Sequence, residues 1–379
     1  MIRRLILAAT ATAALVFASA AAHAYGPQRV ALMDRAIWPE PLNTPAAFDR
    51  ASRAEVLVFA AALQRLGGKD AEALKEELGL KSADTDAVRK ISGRLMGVLL
   101  DNYASASRSC TQAEPFCAPA ANADELAAAG RNLPGTLPQP YWQWLAESQR
   151  FHRLYAMEVV RLAALSPTIS SEIETYGPVE LTGLERPDRH FQFSFDDGPT
   201  GQGGTTDSLL PVLTANGIHA PFYMLGEKLA ARVKKDGAAT LRGLYQGQCP
   251  AMHGWEHKSH QKWAEWQSSV IRSRDLGRDT FGEAFRPWFR PPYGQRGADS
   301  GAFFAANGIT VALWNIDSQD WNKEVSPQLA ADRVLTLMLV WRRGTILFHD
   351  VHAKAATAVP AVVQSVRGAG VVWEDCRRP

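Results

Sequence analysis

The feature that most constrains the fold is a series of short apolar runs in the second half of the chain, separated by helix-like stretches. Phe191, Phe193 and Phe195 alternate with polar residues, which is typical of a β-strand. Strands that alternate with helices usually pair in parallel, so the pattern predicts an α/β fold. Further strands are predicted at 220–224, 310–314, 345–348 and 371–373, with a helix at 207–216.

The first half of the chain has a different pattern of apolar residues, and this pattern predicts helices. The apolar positions predict helices over 53–66, around 91–99, near Asp124 and over 142–165. The polar segment 184–189, which contains Pro187, marks the predicted boundary between an all-α domain at 25–184 and an α/β domain at 185–379. Aromatic residues at 141–144 belong to the core of the helical domain or stack on sugars, and core packing is the commoner role.

Residues 1–24 have the pattern of a secretory signal peptide. Arg3 and Arg4 precede an apolar run, and Ala22-His23-Ala24 resembles a cleavage site, so the mature chain is expected to start near Tyr25. An uncleaved anchor is the alternative, but the apolar run is short for a membrane span. No later run is long enough, so we expect no transmembrane segment after cleavage and a periplasmic or secreted protein.

Composition narrows the range of partners. The chain of 379 residues carries 41 basic and 39 acidic residues, a formal charge of only +2, so nucleic acid is not an expected partner. The four cysteines fit an exported protein with disulfides. Cys110 and Cys117 could close a small ring and Cys249 could join Cys376, although other pairings remain open from the sequence alone.

Two adjacent carboxylates follow the first predicted strand. Asp196 and Asp197 precede Gly198-Pro199, and this turn would let both side chains reach one end of the sheet. An Asp-Gly turn is common on its own. Two carboxylates this close suit different roles, one as a metal ligand and the other as a base.

Two histidines complete a predicted metal site. His253 and His257 stand four residues apart, which would place both imidazoles on one face of a helix. With Asp197 they offer two nitrogen ligands and one oxygen ligand, the set of a catalytic divalent metal, most often zinc, with cobalt, nickel or iron also possible. His260 offers an alternative pair with His257 and is left outside the predicted ligand set.

Three further motifs supply charged or titratable groups. Arg290 precedes two prolines that stiffen its loop, and its guanidinium could hold Asp196 ionised and oriented. Asp320 and His349 each follow a predicted strand. A buried aspartate beside a histidine raises the pKa of the histidine and fixes its tautomer, and such a histidine can protonate a leaving amine.

Taken in order, these motifs resemble the polysaccharide deacetylases of carbohydrate esterase family 4, which share the NodB-homology domain. The resemblance covers roughly residues 189–376 and implies a distorted (β/α) barrel, often with seven strands, that removes acetyl groups from N-acetylhexosamine polymers. It implies a divalent metal and an acetylated polysaccharide or oligosaccharide substrate. Gly254 departs from the family pattern, which usually has serine or threonine at that position.

The resemblance also implies residue roles. Asp196 matches the general base, Asp197, His253 and His257 the metal ligands, and Arg290 the residue that orients the base. Asp320 would tune His349 as general acid, the Tyr293 backbone N–H would bind the oxyanion, and Trp321 and Leu347 would line the acetyl pocket.

Two other functions fit the same residues. An O-acetyl esterase on an acetylated polysaccharide would use the same site, because the site activates water towards any acetyl carbonyl. A catalytically silent carbohydrate-binding protein is the second alternative, and failure to bind metal would favour it.

Overall fold

The computed structural model describes residues 29–111, 114–178 and 180–378. The predicted signal peptide at 1–24 lies outside the described residues. Among the described residues, no helix combines the length and apolar character needed to cross a bilayer.

The first half of the chain is helical, as predicted. The central helix α1 begins after the N-cap Thr44, whose side chain accepts a hydrogen bond from the Ala47 N–H, and most of its residues are buried. The helices of this half are α1 (Pro45–Gly67), α2 (Ala71–Leu78), α3 (Thr85–Ala106), α4 (Ala123–Asn132) and α5 (Trp142–Leu165). Helices α3, α4 and α5 pack against α1, and α2 packs against α5. Trp144 is fully buried, which confirms a core role for that aromatic, whereas Trp142 is exposed.

The second half contributes a curled, all-parallel sheet. Its strands are β1 (Glu180–Leu181), β2 (His190–Asp196), β3 (Pro221–Met224), β4 (Cys249–Met252), β5 (Trp288–Phe289), β6 (Thr310–Ala312), β7 (Ile316–Asp317), β8 (Gly344–His349) and β9 (Val372–Trp373). The order is β1-β6-β5-β4-β3-β2-β8-β7, and β9 pairs with β2. Among the described residues β1 and β7 do not pair, so the sheet forms an open half-barrel of nine strands rather than a closed barrel.

Seven helices connect these strands and cover the sheet. They are α6 (Thr205–Ala215), α7 (Gly226–Asp236), α8 (Ala238–Leu244), α9 (Trp266–Phe281), α10 (Gly301–Ala306), α11 (Pro327–Trp341) and α12 (Ala355–Ser365). Nearly every residue of α11 is buried. This burial follows from its position between the sheet and the N-terminal helices, which leaves it no solvent face.

The two halves of the chain are joined tightly. The Ser52 hydroxyl donates to the Leu339 carbonyl at 2.7 Å, and the Asn102 amide donates to the Val340 and Trp341 carbonyls at 3.0 Å. The sheet itself starts before the predicted boundary, because β1 at Glu180–Leu181 pairs with β6. The helical half and the half-barrel share one hydrophobic core.

Both disulfides suggested by the sequence are present. Cys110 pairs with Cys117 across the loop after α3, and Cys249 at the start of β4 pairs with Cys376 near the end of the chain. The second bridge closes a separation of 127 residues and ties the last segment to the centre of the sheet.

Candidate active site

The C-terminal end of β2 presents the two adjacent carboxylates in different directions. Asp197 has a φ of 79°, a left-handed conformation that is uncommon for a residue other than glycine. Its backbone N–H donates to the Tyr223 carbonyl at 3.1 Å, which holds this turn against β3. Asp196 is buried, whereas Asp197 keeps partial access to the cavity above the sheet.

Arg290 and Asp196 form a buried ion pair. Arg290 Nη1 lies 2.8 Å from Asp196 Oδ1 and 2.9 Å from the Ser194 hydroxyl. Its other nitrogens donate to the Ala312 and Leu313 carbonyls at 3.0 and 3.1 Å. All three guanidinium nitrogens therefore have hydrogen-bond partners, and the Asp196 carboxylate is held in one orientation.

Asp197, His253 and His257 come together, but not through a helix. Strand β4 ends at Met252, and both histidines lie in the irregular segment that follows. The four-residue spacing would place both imidazoles on one face only if the segment were helical, and it is not. The ring centroids of the two histidines are nonetheless 5.2 Å apart.

The atoms of these three residues fit a divalent cation. The Asp197 Oδ1 atom is buried and has no hydrogen-bond partner among the described residues. His253 Nδ1–H donates to the Arg290 carbonyl at 2.8 Å, so its Nε2 carries a lone pair, and that Nε2 lies 3.3 Å from Asp197 Oδ1. His257 Nε2 lies 3.5 Å from the same oxygen. Three electron-rich atoms that face one another at these distances form a plausible donor set for zinc.

Electrostatics favour the ionised carboxylate in this triad. Burial alone would raise the pKa of Asp197, but the imidazoles of His253, His349 and His257 outweigh it and hold the pKa far below its ordinary value. Burial and the neighbouring His253 lower the pKa of His257 to about 4. At neutral pH the triad therefore has an anionic oxygen and a neutral His257, the protonation states that metal ligands need.

Asp320 and His349 form a second buried pair beside the triad. Asp320 Oδ1 lies 2.7 Å from His349 Nδ1, and its Oδ2 accepts from the His349 backbone N–H at 2.9 Å. Burial lowers the pKa of His349, but the Asp320 carboxylate outweighs this effect and raises it to about 10. His349 Nδ1 is thereby committed to Asp320, which leaves Nε2 for other contacts.

The remaining predicted residues line one cavity of about 890 Å³ together with the triad and His349. Trp321 and Tyr293 are among the few large side chains that stay exposed, while Leu347 is buried in the wall. The Tyr293 hydroxyl lies 3.0 Å from His257 Nδ1, a side-chain contact that the sequence did not indicate. Because Tyr293 is separated from His257 by 36 residues, only the folded chain reveals this contact.

Residues 184–312 match the family model described as polysaccharide deacetylase. This part of the half-barrel is similar to the polysaccharide deacetylase family. A peptidoglycan-N-acetylglucosamine deacetylase of Bacillus cereus is 28% identical over 225 residues, which cover 57% of this chain and 78% of the relative. Chitin deacetylase 1 of Saccharomyces cerevisiae is 26% identical over 244 residues, which cover 56% of this chain and 75% of the relative. A solved peptidoglycan N-acetylglucosamine deacetylase aligns over 52% of this chain and 90% of its own at 19% identity, with a TM-score of 0.46.

In this protein, the hydroxyl expected after the first histidine of the triad is supplied from elsewhere. Gly254 has a φ of 85°, and a Cβ there would lie 2.7 Å from His260 Cε1. The Ser269 hydroxyl accepts from the Trp255 N–H at 2.7 Å and lies 3.1 Å from His260 Nε2. Ser269 and His260 therefore brace the loop that carries the two histidines, and His260 has a structural position outside the triad.

We expect Gly254→Ser to destabilise the protein by about 1–3 kcal/mol, because the new side chain meets both a left-handed backbone and the His260 ring. Gly308→Ser is the matched control, since Gly308 has a φ of 63° with nothing within 4 Å of an added Cβ. Urea unfolding of both variants measures the difference. Equal losses would show that the His260 ring moves aside freely.

A loop of the helical half lies at the mouth of the half-barrel. Arg296 is buried and binds the Glu180 carboxylate at 2.6 Å. It also donates to the Ser171 and Glu174 carbonyls at 3.0 and 2.8 Å, and its own carbonyl accepts from the Ser170 hydroxyl at 2.7 Å. Arg296 thus holds residues 168–175, most of which line the cavity, against the half-barrel, and Gln261 adds a second contact by accepting from the Ser170 N–H at 2.9 Å. No local sequence signal pointed to this loop.

Arg296→Ala should cost about 3–5 kcal/mol of stability, because it leaves the buried Glu180 carboxylate without its partner. Arg150→Ala, which removes an exposed ion pair with Glu147, is the control and should change stability by less than about 0.5 kcal/mol. Chemical denaturation measures both. A loss for Arg296→Ala as small as for the control would mean that the loop is not held by this arginine.

Proposed function

We propose that the protein is a metal-dependent hydrolase that removes acetyl groups from N-acetylhexosamine units of a polysaccharide and releases acetate. The observation that carries the proposal is the convergence of the Asp197–His253–His257 triad, the Asp196–Arg290 pair and the Asp320–His349 pair on one cavity. The two curated relatives, named for deacetylation of peptidoglycan N-acetylglucosamine and of chitin, support the substrate class.

Asp197, His253 and His257 would hold the divalent cation. Zinc suits two nitrogen donors and one oxygen donor best, and cobalt, nickel or iron accept the same set. A cation bound there supplies Lewis-acid chemistry, which polarises a carbonyl and lowers the pKa of water. The hydrogen bond from His253 Nδ1 to the Arg290 carbonyl fixes the ring so that Nε2 stays available.

Asp196 would act as the general base. Arg290 holds one carboxylate oxygen, and the other, Oδ2, lies 3.8 Å from His253 Nε2, beside the triad. A carboxylate in this position can accept a proton from the attacking water. The Tyr293 backbone N–H would bind the developing oxyanion, and Trp321 and Leu347 would enclose the acetyl methyl group.

His349 would act as the general acid. Its raised pKa keeps it protonated at neutral pH, and Asp320 holds its ring through Nδ1. The proton on Nε2 then passes to the leaving nitrogen as the carbon–nitrogen bond breaks. Asp320 would therefore set the pH range in which the acid form exists.

This role predicts how Asp320→Asn changes the pH profile. The acid form of His349 exists below its pKa and is lost above it. Without the Asp320 carboxylate, only the charges of Asp197 and Asp196 oppose the effect of burial on His349, so its pKa should fall and the alkaline limb of kcat/KM should move down by about 1–3 pH units. An unchanged alkaline limb would show that His349 is not the general acid.

Acetate release from a panel of N-acetylated and O-acetylated glycans tests the function. Zinc-loaded protein should release acetate from an N-acetylhexosamine oligomer. Preference for acetylated xylan would instead establish an O-acetyl esterase. No release from any member of the panel by folded, metal-loaded protein would contradict the proposal and favour a binding role.

Export is part of the proposal. The Cys110–Cys117 and Cys249–Cys376 bridges support an oxidising compartment, the periplasm or the exterior of the cell. The protein would encounter a polymeric glycan substrate in that compartment.

A further inference from the structure

The cavity above the half-barrel is much larger than an acetyl group requires. Its volume of about 890 Å³ is typical of pockets that hold complete small-molecule ligands. The triad, Asp196 and His349 form part of its wall, further half-barrel residues add to it, and α3, α5 and residues 168–175 of the helical half supply another part. The space therefore continues beyond the residues that would act on the carbonyl.

The helical half contributes six aliphatic side chains to the wall. Sugar hydroxyls placed against these side chains would lose hydrogen bonds to water without gaining partners from them, so this part of the cavity suits a hydrocarbon rather than a second sugar ring. The aliphatic residues are Leu95, Val159, Leu162, Leu165, Ile169 and Ile173.

Two polar groups of the wall already have partners. Arg333 binds Glu158 at 2.6 Å and donates to the Ala31 and Asp317 carbonyls at 2.8 Å. The Tyr155 hydroxyl accepts from Trp341 Nε1 at 2.8 Å. The Arg333 guanidinium therefore needs nothing from a ligand. Ser171 Oγ, Trp314 Nε1 and Gln319 Oε1 have no hydrogen-bond partner among the described residues, so an apolar chain has to lie away from these three atoms.

The acidic side chains in the cavity also favour an uncharged ligand. Burial raises the pKa of Glu172 to about 8, and burial likewise raises the pKa of Asp317. Glu172 is therefore mostly neutral at pH 7, which lowers the cost of placing hydrocarbon next to it.

The apolar wall adjoins the predicted acetyl pocket through direct contacts. Leu347 in β8 is the register partner of Asp317 in β7. The Asp317 carbonyl accepts from Arg333, whose guanidinium carbon lies 5.6 Å from the Tyr155 ring centroid. Leu347, Asp317, Arg333 and Tyr155 all line the cavity, so a chain longer than acetyl has a continuous path from the pocket to the aliphatic wall.

We propose that the protein hydrolyses N-linked acyl groups longer than acetyl, with an unbranched hexanoyl or octanoyl chain lying against α5 and residues 168–175. This inference rests on the proposed amide hydrolysis. Water adds its oxygen to the acyl carbon, the carbon–nitrogen bond breaks, and the nitrogen takes a proton and leaves as the free amine. The products are a fatty acid and an amino sugar, and no other reactant is needed.

The test compares glucosamine oligomers that carry N-acetyl, N-butyryl, N-hexanoyl or N-octanoyl groups. Zinc-loaded protein should release the longer acids with kcat/KM at least equal to that for acetate. Each buried methylene is expected to tighten binding by about four-fold. Calorimetry on the Asp196→Asn background measures that binding separately from turnover.

Leu162→Trp is the variant that fills the apolar wall, because Leu162 is half-buried and lines the cavity. It should lower the octanoyl-to-acetyl ratio of kcat/KM by about ten-fold or more, and Leu162→Phe should lower it less. Leu154→Trp is the matched control, since Leu154 is a half-buried leucine of the same helix outside the cavity lining and should leave the ratio unchanged.

The outcomes separate this inference from the proposed function. Acetate release without octanoyl binding or turnover, or equal effects in the Leu162→Trp and Leu154→Trp variants, would overturn the acyl-chain site and leave a deacetylase. If the protein binds the octanoyl oligomer, Leu162→Trp removes that binding and no acid is released from any substrate, the acyl-chain site is supported and the proposed hydrolase activity is refuted.

Discussion

His253→Ala is expected to abolish both zinc binding and acetate release. The variant removes one of three donors whose atoms lie within 4.8 Å of one another, and leaves Asp197 and His257 as an incomplete set. Loss of a residue that merely supports a ligand weakens metal affinity by about 10–100-fold, so the loss of a ligand should exceed that range. Zinc content after dialysis against a weak chelator and the rate of acetate release provide the two measurements.

His219→Ala is the matched control for that prediction. His219 lies just before β3, at the opposite end of the strands from the triad, and its Nδ1 donates to the Gly247 carbonyl at 2.8 Å. This variant should bind zinc with unchanged stoichiometry. Zinc retained by His253→Ala at the level of the control would place the metal elsewhere in the protein.

Asp196→Asn should reduce kcat by about 10²–10⁴-fold while zinc binding persists. The amide keeps the shape of the side chain but cannot accept a proton as a carboxylate does. Asp196 is not one of the three donors, and its Oδ2 lies 3.8 Å from His253 Nε2, so the donor set stays intact. Steady-state kinetics and zinc stoichiometry on one preparation distinguish loss of the base from loss of the metal.

Ser194→Ala provides the comparison for Asp196→Asn. Ser194 shares Arg290 Nη1 with Asp196, at 2.9 Å, but has no acidic group. Removing its hydrogen bond should lower kcat by about ten-fold at most, since one neutral hydrogen bond contributes about 0.5–1.5 kcal/mol. If both variants lost activity equally, orientation of Arg290 rather than proton transfer by Asp196 would explain the effect.

Local motifs predicted the identities of the clustered residues better than their geometry. The order of Asp196, Arg290 and His349 along the chain indicated one site, because parallel strands bring their C-terminal ends to one edge. The conformation of the loop with His253 and His257 depends on Ser269, in a helix that begins later in the chain, so the spacing of the two histidines could not fix its geometry.

Strand β4 shows why part of the sheet could not be predicted. It is a central strand, yet it contains Pro250, which lacks an N–H and normally argues against an interior strand. The Pro250 carbonyl still accepts from the Arg286 N–H at 2.8 Å. The residue therefore uses its backbone acceptor, although it has no backbone N–H to donate. Strand β1 has only two residues, Glu180–Leu181, and gains its strand geometry from pairing with β6.

The loop over the cavity could not be predicted from the sequence, for a related reason. Residues 168–175 follow α5 in the chain, but their fixed contacts are with Arg296 and Gln261, about a hundred residues away. Such contacts leave no periodic pattern in the sequence. The size and apolar lining of the cavity, which depend on this loop, emerge only from the folded chain.

The central claim is tested most directly by acetate release from an N-acetylglucosamine oligomer before and after metal removal. Protein stripped by a chelator should release no acetate, one equivalent of zinc should restore activity, and His253→Ala should not be restored. Equal acetate release by stripped and zinc-loaded protein would contradict a metal-dependent deacetylase centred on Asp197, His253 and His257.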